Sequence, residues 1–298
     1  MKHILVGIFA ATSLLVSSGC SSTVKSGEAQ ISNHENVPKT EKQETKPMSD
    51  NHDGHSMEHK HHEEQPKTAT QAKLTTPKNL TTNQPINLVI DIQDSAGKPV
   101  NNFDVFQEKI MHLIVVSNDL EHFDHLHPDY KENGRFEVSA NFPQAGDYTL
   151  FSDYKPAGQK ESLSLTKISI PGTVPLPKSL SKYEKTKTVS DTKVNFKASQ
   201  EKIKAGEEVS LIFDLTDSQK QPIKDLQPYL GEKGHLVIIK SSSPLTTTDY
   251  IHAHAMKNTS DGKIEFHTKF PKSGTYKMWM QFNRNGNIRT ADFWVNVE

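Results

Sequence analysis

Past residue 73 the chain breaks into short runs, some alternating and some wholly apolar, separated by Gly, Pro, Asn and Asp. That is the texture of β-strands in a sandwich. The clearest runs of the first half are Ile86 to Ile92, Met111 to Ser117, Phe136 to Phe142 and Tyr148 to Tyr154, and no stretch sustains a helical period. The pattern then recurs. Leu88-Val89-Ile90-Asp91-Ile92 aligns with Leu211-Ile212-Phe213-Asp214-Leu215, and His112-Leu113-Ile114-Val115-Val116 with His235-Leu236-Val237-Ile238-Ile239, at an offset of 123. Asn141-Phe142-Pro143 and Gly146-Asp147-Tyr148 fall on Lys269-Phe270-Pro271 and Gly274-Thr275-Tyr276 at an offset of 128. The extra residues are assigned to a longer loop around Ser241 to Thr248, since loops tolerate insertion where strands do not. The expected fold is all-β: two tandem immunoglobulin-like or cupredoxin-like sandwiches at residues 74–171 and 191–298. A proline-rich linker at 172–190 joins them like beads on a string.

The segment before the first sandwich has a different character. Residues 20–73 are rich in Ser, Thr, Asn, Glu, Lys and His, with few large apolar side chains. Such a stretch cannot offset its ordering entropy by burial and reads as a disordered stalk. Within it His52, His55, His59, His61 and His62 cluster with Met57. On a mobile chain these donors can wrap an ion without preformed geometry, the thioether favouring copper(I); the alternative is a solvated spacer. Ahead of the stalk, Met1-Lys2-His3, an apolar run to Val16 and Ser17-Ser18-Gly19-Cys20 form a short secretory signal, residues 1–19. The pattern resembles a bacterial lipoprotein signal, which implies lipidation of Cys20, the chain's one cysteine, and anchoring on the extracytoplasmic side of the cell membrane. With Lys+Arg at 35 against Asp+Glu at 36, no overall field favours nucleic acid. The expected partners are a metal ion and the membrane, and no protein partner can be named.

Histidine carries the candidate chemistry in the sandwiches. Copy one contains His125-Leu126-His127 and copy two His252-Ala253-His254. Residues i and i+2 of a strand point to one side, so each pair presents two imidazoles on one face. His112 and His235 open a neighbouring apolar strand and can complete a triad in each copy. Three imidazoles suit copper or zinc, whereas calcium and magnesium prefer oxygen. The competing reading takes these histidines as ordinary hydrogen-bonded groups at strand ends. Their recurrence in both copies favours the metal. His122 and His267 have no counterpart and read as surface residues, while Phe151, Tyr148, Tyr276, Trp279, Phe293 and Trp294 read as sandwich core and Met278 and Met280 as packing residues. Nucleophile elbows, phosphate-binding glycine loops and His-Glu-x-x-His are missing from the sequence, so a non-enzyme is expected.

Gly234-His235-Leu236, the two His-x-His elements, and Phe142-Pro143-x-x-Gly146-x-Tyr148 with Phe270-Pro271-x-x-Gly274-x-Tyr276 are similar to secreted bacterial domains of the YtkA-like and FixH-like kind. The resemblance implies a β-sandwich on an envelope lipoprotein concerned with metal, copper before zinc, acting in sequestration, sensing or delivery. The alternative is a non-catalytic structural or adhesive surface module that holds a protein or glycan.

Overall fold

The computed structural model describes residues 69–176 and 183–298, and every regular element in them is a strand apart from one short 3-10 turn, Thr247–Asp249. The expected signal peptide, Cys20 and the expected stalk's candidate donors His52, His55, Met57, His59, His61 and His62 lie outside the described residues. Copy one comprises β1 (Thr70–Thr75), β2 (Pro85–Asp94), β3 (Met111–Ser117), β4 (Phe123–Leu126), β5 (Asp129–Tyr130), β6 (Arg135–Asn141), β7 (Gly146–Tyr154) and β8 (Ser162–Ile170). Copy two comprises β9 (Thr186–Val189), β10 (Thr192–Ala198), β11 (Glu208–Thr216), β12 (Leu226–Gln227), β13 (His235–Lys240), β14 (Tyr250–His254), β15 (Lys263–Lys269), β16 (Gly274–Arg284) and β17 (Asn287–Val297). Strand β1 starts ahead of the expected bound at 74, and β9 lies inside the expected linker. Both are Thr- and Lys-rich strands with little to bury, so hydrophobicity alone does not announce them.

Each copy is a sandwich of two antiparallel sheets, ordered β1-β2-β6-β5 over β4-β3-β7-β8 in the first. The second stacks β9-β10-β11-β15 over β14-β13-β16, with β12 and β17 also paired to β16. Strand β2 shows how sequence sets the layers: its burial alternates, and Ile86, Leu88, Ile90 and Ile92 all enter the core of copy one. Strands β3 and β13 behave otherwise, being buried on both faces from Met111 to Val116 and from His235 to Ile239. One face of each, Leu113 with Val115 and Leu236 with Ile238, fills its own sandwich core.

Their other faces meet each other. Ile114, Val116, Leu120 and Phe151 of copy one pack with Val237, Ile239, Leu245 and Trp279 of copy two in a third hydrophobic cluster, the seam between copies. Full burial of such side chains stabilises by roughly 1.5–3 kcal/mol each. The expectation of two independent beads is therefore corrected: the copies share a core-like interface. Phe151 and Trp279, expected in sandwich cores, belong to the seam, and Trp294 packs against it. Tyr148, Tyr276 and Phe293 do lie in the sandwich cores, as do Met278 and Met280.

The seam contacts come in matched pairs. Phe123 stacks on Trp279 at 4.7 Å and Tyr250 stacks on Phe151 at 5.2 Å. Phe123 and Tyr250 occupy corresponding places on β4 and β14, as Phe151 and Trp279 do on β7 and β16. The interface thus has the reciprocity of a two-fold dimer inside one chain.

Candidate metal centre

The strand alternation that sends Ile114 and Val237 into the seam sends His112 and His235 there too. Antiparallel pairing sets His125 opposite Ile114, and His252 and His254 opposite Val237 and His235. The two histidine sets therefore project from facing sheets toward one place. Within copy one, ring centroids lie 5.3 Å apart for His112 and His125, 5.1 Å for His112 and His127, and 4.7 Å for His125 and His127. Ligand atoms of these three all fall within 4.8 Å of one another. Across the seam, His235 approaches His125 at 4.6 Å and His112 at 5.8 Å, and His252 lies 4.4 Å from His235 and 5.7 Å from His112. Two triads were expected, one per sandwich; the structure instead gathers five rings into one cluster between sandwiches. The sixth, His254, is 51% exposed and takes a hydrogen bond from Gln107 Nε2 at 2.6 Å.

Hydrogen bonds around the rim fix the tautomers. His112 Nε2 lies 3.2 Å from the Phe106 carbonyl, which can only accept, so Nε2 carries the proton and Nδ1 presents a lone pair. His125 Nδ1 donates in the same way to Gln281 Oε1 at 2.8 Å, the amide nitrogen of Gln281 being engaged with Thr290 Oγ1. Two lone pairs are thereby left face to face, His112 Nδ1 and His125 Nε2, 3.1 Å apart. Nitrogens bound to one ion at about 2.0–2.1 Å sit about 2.9–3.4 Å apart, from square-planar to tetrahedral angles. On the other side His252 Nδ1 donates to Asp153 Oδ2 at 3.0 Å, leaving Nε2 to face His235 Nε2 at 2.5 Å. His235 Nδ1 and His127 Nε2 are buried without a hydrogen-bond partner.

The electrostatics keep His112, His125, His127 and His235 neutral. Burial, reinforced by the neighbouring rings and Lys109 against the Phe106 hydrogen bond, pushes His112 down to about 3, and burial with Lys109 brings His127 to about 4. His125 and His235 are driven well below the ordinary range by the same loss of hydration. Neutral imidazole is the form that ligates. The carboxylate of Asp153, only 6% exposed, is held by His252 and by Tyr250, whose hydroxyl donates at 3.3 Å. The arrangement supplies three converging nitrogen donors, His112, His125 and His127, with the His235 and His252 rings and the Asp153 carboxylate beside them, a set suited to copper(II) or zinc.

Sequence reasoning missed Asp153, Gln281 and Gln107. The first two had a signal: each is a buried polar residue at the same register position of corresponding strands, opposite His112 and His235 respectively. His122 is also corrected, since it is half-buried and sits edge-on to Tyr148 at 5.6 Å; His267 is exposed as expected. Among the described residues no helix is long and apolar enough to cross a membrane.

A family model described as "Domain of unknown function (DUF8832)" matches residues 57–168 and again 187–298. A comparison with curated proteins finds no match. Among solved structures, the chain is similar to FdeC, an Escherichia coli adhesin, with 12% identity over 76% of this chain and 64% of that one, at a TM-score of 0.25. InvD of Yersinia pseudotuberculosis gives 12% identity over 76% and 57%, with a TM-score of 0.24. A two-domain fibronectin type III segment of chicken tenascin gives 12% over 76% and 99%, with a TM-score of 0.24. The chain spans less than two thirds of FdeC and InvD.

Proposed function

The chain belongs to the DUF8832 family, one copy in each sandwich, and we propose that it is a non-catalytic metal-binding protein whose centre is the histidine cluster at the seam. The ion is copper, with zinc as the alternative, and the role is sequestration, sensing or delivery outside the cytoplasm, from a lipid anchor at Cys20. One observation carries the reading: His112 Nδ1 and His125 Nε2 point lone pairs at each other 3.1 Å apart, each ring locked by an acceptor behind it. Without a cation between them that contact is repulsive; with one it is a pair of adjacent ligands. The all-nitrogen donor set supports copper(II) or zinc, and the likeness to YtkA-like and FixH-like domains supports copper first.

The test is titration with copper(II) and with zinc, read by elemental analysis and electron paramagnetic resonance, in a chain whose stalk residues His52, His55, His59, His61 and His62 are alanine. Substituting His112, His125 and His127 should abolish tight binding, and so should substituting His235 and His252, because the centre is shared. Full affinity after all five changes would overturn the reading. The chain would then stand as a structural or adhesive module for a protein or glycan.

A further inference from the structure

His254 and Gln107 lie at the edge of the buried centre, where it meets solvent. Gln107 sits in a tight turn closed by reciprocal hydrogen bonds between Phe106 and Lys109, with Gln107 and Glu108 both in the left-handed region at φ 46° and 63°. This backbone twist belongs to two-residue hairpin turns. Its tip carries the Gln107 amide from copy one into copy two, between two histidines of different exposure. Gln107 Nε2 donates to Nδ1 of the exposed His254 at 2.6 Å, and Gln107 Oε1 accepts from Nε2 of the buried His235 at 3.0 Å. The His254 ring lies nearly parallel to that of His252, 5.3 Å away, and Glu232 brings a carboxylate oxygen within 3.8 Å of His254 Nδ1. One neutral amide thus bridges a solvent-facing imidazole to an interior one, with a carboxylate alongside.

Resting on the reading of the seam as a metal centre, we propose that His254 and Glu232 form a surface capture point for the incoming ion, and that Gln107 is the movable bolt between it and the cluster. An amide is a poor ligand for copper or zinc, whereas imidazole and carboxylate bind them. An ion arriving at His254 Nδ1 displaces the Gln107 amide, and the same movement uncovers His235 Nε2. Water admitted by that movement takes the Nε2 proton and returns one to the unpartnered Nδ1 of the same ring, and Nε2 is then free to take the ion beside His252 Nε2. No proton is lost from His235, and the ring remains a neutral ligand.

The kinetic signs separate capture from mere packing. His254→Ala removes the anchor of Gln107, so if His254 only held the bolt shut, copper would enter faster. If His254 captures the ion, entry slows. The assay is stopped-flow quenching of tryptophan fluorescence in the full chain on mixing with copper(II) in glycine buffer. Trp279 lies in the seam and Trp294 packs against it, so their fluorescence reports on it, and the chain carries alanine at His52, His55, His59, His61 and His62. His254→Ala should slow quenching on the order of tenfold while the equilibrium midpoint moves by less than about threefold, the signature of a changed on-rate at constant affinity. Glu232→Gln should slow it less, and Gln107→Ala should quicken it. Faster or unchanged quenching in His254→Ala, or a lost midpoint at an unchanged rate, overturns the inference while leaving the metal centre intact. Failure of the unmodified chain to bind copper removes both.

Discussion

Acidifying the metal-free protein should unfold it in a way that counts the buried rings. His112 is fully buried, and its pKa falls from the ordinary 6.5 to about 3 in the fold, chiefly because burial penalises the charged ring. The folded state keeps His112 neutral while the unfolded chain takes a proton. Its contribution is therefore fully present above pH 6.5 and lost as pH falls from 6.5 toward 3. Each unit of pH in that window removes about 1.4 kcal/mol, so His112 alone forfeits about 2 kcal/mol by pH 5. His125 and His235 are displaced in the same direction, with burial again the leading cause. His127, brought to about 4, forfeits up to about 2 kcal/mol more, so these two rings lose up to about 4 kcal/mol by pH 5, a large part of a domain's stability, and His125 and His235 add to the loss in the same direction. Urea unfolding in chelator between pH 5 and 8 measures it. The free energy should fall with a slope of at least two protons, about 3 kcal/mol per pH unit between pH 6 and 5. A slope of one proton or fewer would refute the argument, because it would mean the rings are hydrated or already charged in the fold.

Asp153→Asn keeps an acceptor for His252 Nδ1 but removes the buried charge, so copper affinity, measured by competition with a chromophoric chelator, should drop about 10–100-fold with the fold retained. Trp279→Ala takes away a side chain that is 3% exposed and stacked on Phe123; the expected loss is about 3–5 kcal/mol, with a larger radius in small-angle scattering as the copies part. Gly262→Ala places a Cβ 2.6 Å from the Leu215 carbonyl at φ +65° and should cost more than the about 1–3 kcal/mol of backbone strain, whereas Gly206→Ala, at φ +81° with open space around it, should cost the strain alone. Thermal melts of the two variants compare them directly, and equal losses would sink the steric account.

The repeat, the strands and the histidines were legible in the sequence because each has a periodic signature. Strand β3 was expected from Met111 to Ser117 and occupies those residues, and β2, β6 and β7 enclose or closely overlap the runs predicted for them. The seam was not anticipated, yet its signal is in the same runs. A sandwich strand covered on one face alternates, as β2 does. Met111 to Val116 and His235 to Ile239 do not alternate, which requires a second cover for the outward face. Strand pattern alone, without that second cover, leaves the copies apart and the histidines of each copy in a separate site. His254 departed for a local reason: its neighbour across the seam is the amide of Gln107, which occupies the approach to His235.

Two copies fused in one chain can do what a dimer of identical copies cannot. The reciprocity of the seam pairs His125 with Gln281 and His252 with Asp153, at equivalent positions of β16 and β7. In a symmetric dimer both histidines would meet the same group. Two glutamines would leave the cluster neutral and offer nothing to offset the charge of an incoming ion. Two aspartates would bury a pair of carboxylates in one apolar seam, each raising the cost of ionising the other. Divergence after duplication permits one of each. The result is a single negative charge behind His252, a neutral acceptor behind His125, and both rings held with their free nitrogens turned inward. A symmetric scaffold thereby carries an asymmetric donor set, and an Asp153→Gln chain should keep the seam and bind a cation more weakly.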